Sequence, residues 1–203
     1  MLGLLLMGMA AAELPPVPYD RELGRREWVR VYERLQEGDA TGAREQARDY
    51  QERVLETAGL NYLIGRSSVV LSDTGVAREA FRRAVVLDPG HTPSWTSLGD
   101  LAMAAGDWDE AKTAWQAVTD QVTDGRDAWL GPFRLAEVAA NQSDPLALEA
   151  ALRLAIRRGF SLSAIAHDPA WHTFYANPTL QDSLQKMLVV YADPTTRAAF
   201  DLP

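Results

Sequence analysis

Three alanines, Ala43, Ala77 and Ala111, stand 34 residues apart each time, and several other columns keep the same step. Gly38, Ser72 and Gly106 repeat on it, each followed by an aspartate: Asp39, Asp73 and Asp107. Ile64-Gly65 aligns with Leu98-Gly99, Phe81 with Trp115, and Asn61 with Trp95 and Trp129. A fixed period of this kind constrains the chain more tightly than composition does. Each period is one small unit that cannot bury its apolar surface alone, so successive units must stack on one another.

The residues on the grid describe a helix pair. Small side chains at Gly65/Gly99 and Ala43/Ala77/Ala111 let two antiparallel helices approach closely, and Phe81 and Trp115 fill the space one helical turn beyond the alanine. Gly38-Asp39, Ser72-Asp73 and Gly106-Asp107 fall between the helices, where a glycine ends one helix and an aspartate caps the next. Leu87-Asp88-Pro89 closes the second pair and turns the chain into the third.

This arrangement resembles the tetratricopeptide repeat family, whose 34-residue signature is W-x2-L-G-x2-Y, then A-x3-F, then P. Trp95-x2-Leu98-Gly99 with Ala111-x3-Trp115 matches one unit, and Ala77-x3-Phe81-x2-Ala84 with Pro89 matches the second half of another. The grid frames four units at 24–57, 58–91, 92–125 and 126–159. The first lacks the Leu-Gly pair, leaving Trp28, Val31, Tyr32 and Leu35 to carry its first helix. The fourth has Pro132-Phe133 where Leu-Gly belongs and slips by about two residues, so Ala147, Ala151 and Ala155 are expected to serve its second helix. Beyond Gly159-Phe160, the run Leu162, Asp168-Pro169, Trp171, Phe174, Asn177-Pro178, Leu180, Leu184 and Leu188 is similar to the closing segment of some such arrays. Asp168 and Asn177 are expected as N-caps with proline at the first helical position. Trp95, Trp115 and Trp129 are expected in the core, and Trp171 as the anchor of the C-terminal helices. The resemblance implies an all-α, right-handed solenoid of four helix pairs with a helical cap at 160–203, roughly ten helices.

At the N-terminus, residues 1–12 are apolar, uncharged in their side chains and end in Ala10-Ala11-Ala12 before Glu13. That pattern predicts an export signal, and hence a periplasmic or secreted protein, although the segment carries no Lys or Arg. The alternatives are an apolar extension with no targeting role and a cytoplasmic protein. Residues 13–23, with Pro15, Pro16 and Pro18, read as a linker. No segment is long enough to span a bilayer as a helix.

Chemistry is sparse. Zero cysteines remove disulfides, thiolate metal sites and cysteine nucleophiles, and a net charge of −8 argues against nucleic acid as a partner. The three histidines, His91, His167 and His172, lie in turn, cap and early-helix positions. No zinc-protease, nucleophile-elbow, phosphate-loop, dinucleotide or calcium-loop pattern occurs. No catalytic residue, cofactor or metal is expected.

The expected function is binding. In the family, the first helices of successive units line a concave groove, and the resemblance places Trp28, Tyr32, Tyr62, Arg66, Asp100 and Arg134 on it. Aromatic and arginine side chains dominate interface hot spots, so a protein or peptide segment is the expected partner of an adaptor or assembly factor. Packing of the same side chains against neighbouring helices is the competing reading. Two further alternatives are a self-associating structural solenoid and a cytoplasmic regulatory module attached to an enzyme or kinase system. Arg66 and Arg134 suit an acidic or C-terminal carboxylate, but the lysine-rich carboxylate clamp of chaperone-binding relatives is missing: Lys112 and Lys186 are the only lysines, and neither lies in the groove.

Overall fold

The structure, a computed structural model, describes residues 21–203. The predicted export signal at 1–12 and residues 13–20 of the linker lie outside the described residues. Among those described, eleven α-helices and one short 3-10 turn account for all regular structure. Four helix pairs come first: α1 (Arg21–Gln36) with α2 (Ala40–Arg53), α3 (Ala58–Val70) with α4 (Thr74–Leu87), α5 (Thr92–Ala105) with α6 (Trp108–Gln121), and α7 (Leu130–Asn141) with α8 (Pro145–Arg157). The 3-10 turn Leu162–Ile165 leads into α9 (Pro169–Ala176), α10 (Pro178–Tyr191) and α11 (Pro194–Ala199). Helices from α1 to α8 pack consecutively, and α10 returns onto α8. The first helix starts at Arg21, so the last three residues assigned to the linker are helical. The tail helix starts at Pro194, where the Asp193 side chain accepts from the Thr195 and Thr196 N–H groups.

The turn inside each pair is the same device four times. Gly38, Ser72, Gly106 and Ser143 all have positive φ, at 91°, 59°, 71° and 54°. The next residue, Asp39, Asp73, Asp107 or Asp144, donates its N–H five residues back, to the carbonyls of Arg34, Ser68, Ala102 and Ala139 at 2.8–3.1 Å. This double closure satisfies the orphan carbonyls of the first helix. The same aspartate caps the second helix, accepting from the N–H of Gly42, Val76 or Glu110, and in the fourth pair from Leu146 and Ala147. Glycine is at home in the left-handed conformation, whereas Ser72 and Ser143 hold it at a steric cost.

The fourth turn corrects the grid. Asp144 falls three residues beyond the position 34 residues after Asp107, not two, so Leu148 and Leu152 take the columns of Ala111 and Trp115. Both leucines are fully buried, whereas Ala147 and Ala151 are half-buried; of the three alanines expected in the helix core, only Ala155 is fully buried.

Inside the middle pairs the small-against-large packing is tight. A Cβ at Gly65 would lie 2.4 Å from the Phe81 ring, and one at Gly99 would lie 2.7 Å from Trp115. In the fourth pair the equivalent position is Phe133, which turns to the cap instead. It stacks on Phe160 at 4.3 Å and on Trp171 at 5.6 Å. Trp171 anchors the C-terminal helices there, fully buried with Leu148, Leu152, Leu180 and Leu184. Asp168 and Asn177 cap α9 and α10 with Pro169 and Pro178 at the first helical turn. Of the three tryptophans expected in the core, only Trp115 is buried. Trp95 is half-buried, its indole N–H donating to the Pro89 carbonyl at 2.8 Å, and Trp129 is a half-buried residue just outside α7.

Candidate functional site

The first helices α1, α3, α5 and α7 present three columns in register. Trp28, Tyr62, Thr96 and Leu130 form one; Tyr32, Arg66, Asp100 and Arg134 form the second; Leu35, Val69, Met103 and Glu137 form the third. Tyr32 and Val69 are each 41% exposed, Val70 is 61% exposed, and Arg66 and Asp100 are exposed. This face therefore carries exposed apolar side chains beside charged ones.

At the α1–α3 end the face is an aromatic wall. Trp28 and Tyr32 stack with centroids 5.2 Å apart and planes within 7°. Trp28 is seated on Gly59, where a Cβ would lie 3.1 Å from its ring. Tyr62 leans on the buried Phe81 at 5.9 Å and on His91 at 5.4 Å. His91 occupies the N-cap position of α5 with its Nδ1 paired with Ser94 Oγ at 2.8 Å, and burial holds its pKa below the usual histidine value. Arg66 donates to the Tyr62 hydroxyl at 3.0 Å, and its guanidinium sits 5.9 Å from the ring centroid, within cation–π reach.

At the α5–α7 end the face is charged and partly desolvated. Arg134 donates to Glu137 Oε2 at 2.8 Å and lies 3.8 Å from Asp100 Oδ1. Its guanidinium is 5.7 Å from the Trp115 ring centroid, and its buried Nε–H has no hydrogen-bond partner. Burial raises the pKa of both Asp100 and Glu137, and Arg134 opposes the shift in each; the charges of Asp168 and Asp100 add to the rise at Glu137. Arg134 is therefore already engaged by two carboxylates. Of the two arginines read as suited to an incoming carboxylate, only Arg66 is left without a carboxylate partner among the described residues.

The six side chains selected from the sequence thus separate into three pairs. Trp28 and Tyr32 touch, Tyr62 and Arg66 touch, and Asp100 meets Arg134. Glu137 and His91, which lie outside those six, complete the groups. Glu137 stands three residues after Arg134, a helical pairing that was legible. His91 reaches Tyr62 only through the stacking of α3 on the following turn.

On the second helices, ion pairs couple neighbouring pairs. Arg44 bonds Asp73 at 3.1 Å, and Arg78, 34 residues on, bonds Asp107 and Glu110. Lys112 is next in that series and makes no ion pair among the described residues. There, at the shifted fourth unit, a cleft of about 250 Å³ opens between α6 and α8, lined by Lys112, Gln116, Leu135, Val138, Ala147 and Ala151. Among the described residues no group of three or more His, Cys, Asp or Glu side chains is placed to hold a metal, and no helix is long and apolar enough to cross a membrane.

A family model described as tetratricopeptide repeat matches residues 96–161, spanning α5 to α8. No curated protein matches the chain. The matched segment carries the α5–α6 close contact and two of the four capped turns, and the pairs before it repeat the turn and cap. This chain is a helical-repeat solenoid whose residues 96–161 match the tetratricopeptide repeat model.

Proposed function

We propose that the chain is a non-catalytic protein–protein interaction module that binds a segment of another protein along the first-helix face, as an adaptor or assembly factor. The observation that carries this reading is the column Tyr32–Arg66–Asp100–Arg134, repeated at one step per unit and flanked by the exposed apolar side chains Val69 and Val70. A segment laid across four helices meets the same register four times, which suits an extended chain or one helix face.

The test is in-cell photocrosslinking followed by co-purification, comparing wild type with Tyr32→Ala/Arg66→Ala. Both residues are exposed, so the pair should leave the circular dichroism spectrum unchanged. Capture of a defined protein by wild type and its loss from the variant is the expected result. Identical capture by both would move binding off this face.

Export belongs to the same proposal and rests on residues 1–12. Fractionation of a C-terminally tagged protein, with sequencing of its mature N-terminus, should return Glu13 as the first residue from an envelope or secreted fraction. An intact N-terminus in the cytoplasm would refute it. Self-association is a second reading, favoured by Val189 and Val190, which are 47% and 66% exposed near the end of α10. Light scattering should report a monomer if the first-helix face alone binds.

A further inference from the structure

We infer that the first-helix face selects a bipolar segment, one that sets an acidic group against Arg66 and, about one repeat away, a basic side chain against Asp100 and Glu137. The inference rests on the proposed binding function and adds the chemistry of the partner.

Arg66 is exposed and has no carboxylate partner among the described residues. Its neighbours on α1 differ: Arg30 pairs with Glu27, and Arg34 with Asp39 at 2.9 Å. Arg66 is also held. The Tyr62 hydroxyl accepts from it, the Tyr62 ring lies beneath it, and Tyr62 is itself braced by Phe81 and His91. A guanidinium fixed in this way presents its remaining N–H donors at low entropic cost, and its planar fork matches a carboxylate. Burial lowers the pKa of the neighbouring His91 and so disfavours a second positive charge beside Arg66.

One repeat further along, the balance reverses. Asp100 and Glu137 share a single guanidinium, and Asp168 adds to the negative potential at Glu137. The Asp100 side chain is 55% exposed and lies at the outer limit of ion-pair distance from Arg134, so it retains acceptor capacity toward solvent. Burial disfavours the charged form of both carboxyls, and a second cation from a partner would relieve that cost. Beside the two charged groups, one helical turn further along α3 and α5, stand the exposed Val69 and the half-buried Met103.

Arg66 and Asp100 occupy the same position in successive units. Units stack by about one helix diameter, ~10 Å, which an extended chain covers in roughly three residues at ~3.3 Å each. The segment therefore carries an acidic and a basic residue that far apart, with apolar side chains turned toward Val69 and Met103 alongside. A nucleic-acid phosphate backbone does not fit, because it would meet repulsion at Asp100 and Glu137.

The test uses a displayed library of random peptides, selected on the full chain. One enriched peptide is then synthesised with a fluorescent label and measured by anisotropy. Enriched sequences should carry an acidic and a basic residue roughly three positions apart, with apolar residues at or next to them. The labelled peptide should bind Arg66→Glu and Asp100→Asn each roughly fivefold or more weakly than wild type, and the loss should shrink at high salt. Arg66→Gln serves as the milder variant, and circular dichroism checks the fold of each. Peptides that lose binding to Tyr32→Ala/Val69→Ser but bind Arg66→Glu and Asp100→Asn normally would overturn the bipolar inference and leave the groove reading standing. No enrichment, or binding indifferent to all these substitutions, would overturn both.

Discussion

Replacing Gly65 with alanine adds one methyl group and gives opposite signs depending on whether the α3–α4 contact is as tight as described. Helix propensity alone makes the change favourable by ~0.8–1.0 kcal/mol, since alanine loses less backbone entropy on folding than glycine. The new Cβ, however, would lie 2.4 Å from Phe81 Cε1, with two further ring atoms at 2.7 Å. Carbon atoms are most comfortable at ~3.5–4.0 Å. Phe81 is fully buried against Ala77, Leu98 and Ala114, so the ring has no free direction to swing and α3 and α4 must separate. Overpacking of this type costs ~1–3 kcal/mol, and the severity of the overlap points to the upper part of that range. The expected net effect is a loss of about 1–2 kcal/mol.

The control is Gly75→Ala in α4, where an added Cβ meets nothing within 4 Å. That change should be neutral or stabilising by up to ~1 kcal/mol. Urea unfolding followed by far-UV circular dichroism reads both as shifts in midpoint. A third variant isolates the cause: in a Phe81→Leu background the ring is gone, and Gly65→Ala should lose most of its penalty. A rise in midpoint for Gly65→Ala, matching that of Gly75→Ala, would refute the close approach and with it the small-against-large logic of the repeat.

Three further outcomes follow from the same contacts. Ser72→Gly should stabilise by about 0.5–1 kcal/mol, because Ser72 holds φ 59° where Gly38 and Gly106 sit in the other turns, while Gly106→Ala should destabilise by about as much; thermal melts read both. Arg78→Ala should cost about 0.5–1 kcal/mol at low salt and less at high salt, since it removes a two-carboxylate network between adjacent units, whereas Arg53→Ala, which breaks only an exposed pair with Asp49, should cost little; parallel urea titrations at two salt concentrations compare them. Asp100 and Glu137 have raised folded pKa values, so between the unfolded and folded values the folded chain binds more protons, and their contribution to stability falls as pH rises through that window. Arg134→Met removes the guanidinium that opposes the shift, so carboxyl NMR should show both groups titrating at still higher pH, with the variant losing more stability at neutral than at acidic pH; an unchanged titration would mean Arg134 does not hold them.

Much of the architecture was written in short stretches of chain. The left-handed residue followed by a capping aspartate, the Asp-Pro and Asn-Pro helix starts, and the alanine-to-aromatic step within a helix are each decided within a few residues, where backbone sterics and capping hydrogen bonds act. A period of 34 then forces stacking, because no pair can bury both its faces alone. The sequence also carried the columns to which Tyr32, Arg66, Asp100 and Arg134 belong. It did not carry their pairing. Only the tertiary structure decided that Arg134 is engaged by Asp100 and Glu137 while Arg66 is held by Tyr62 and left without a carboxylate. It alone decided that a three-residue shift brings Leu148 and Leu152 into the core, that a cleft lies beside Lys112, and that Trp95 and Trp129 stay half-buried. These outcomes depend on how far one helix stands from another, and a distance between side chains of different units is set by the packing of everything between them rather than by any local signal.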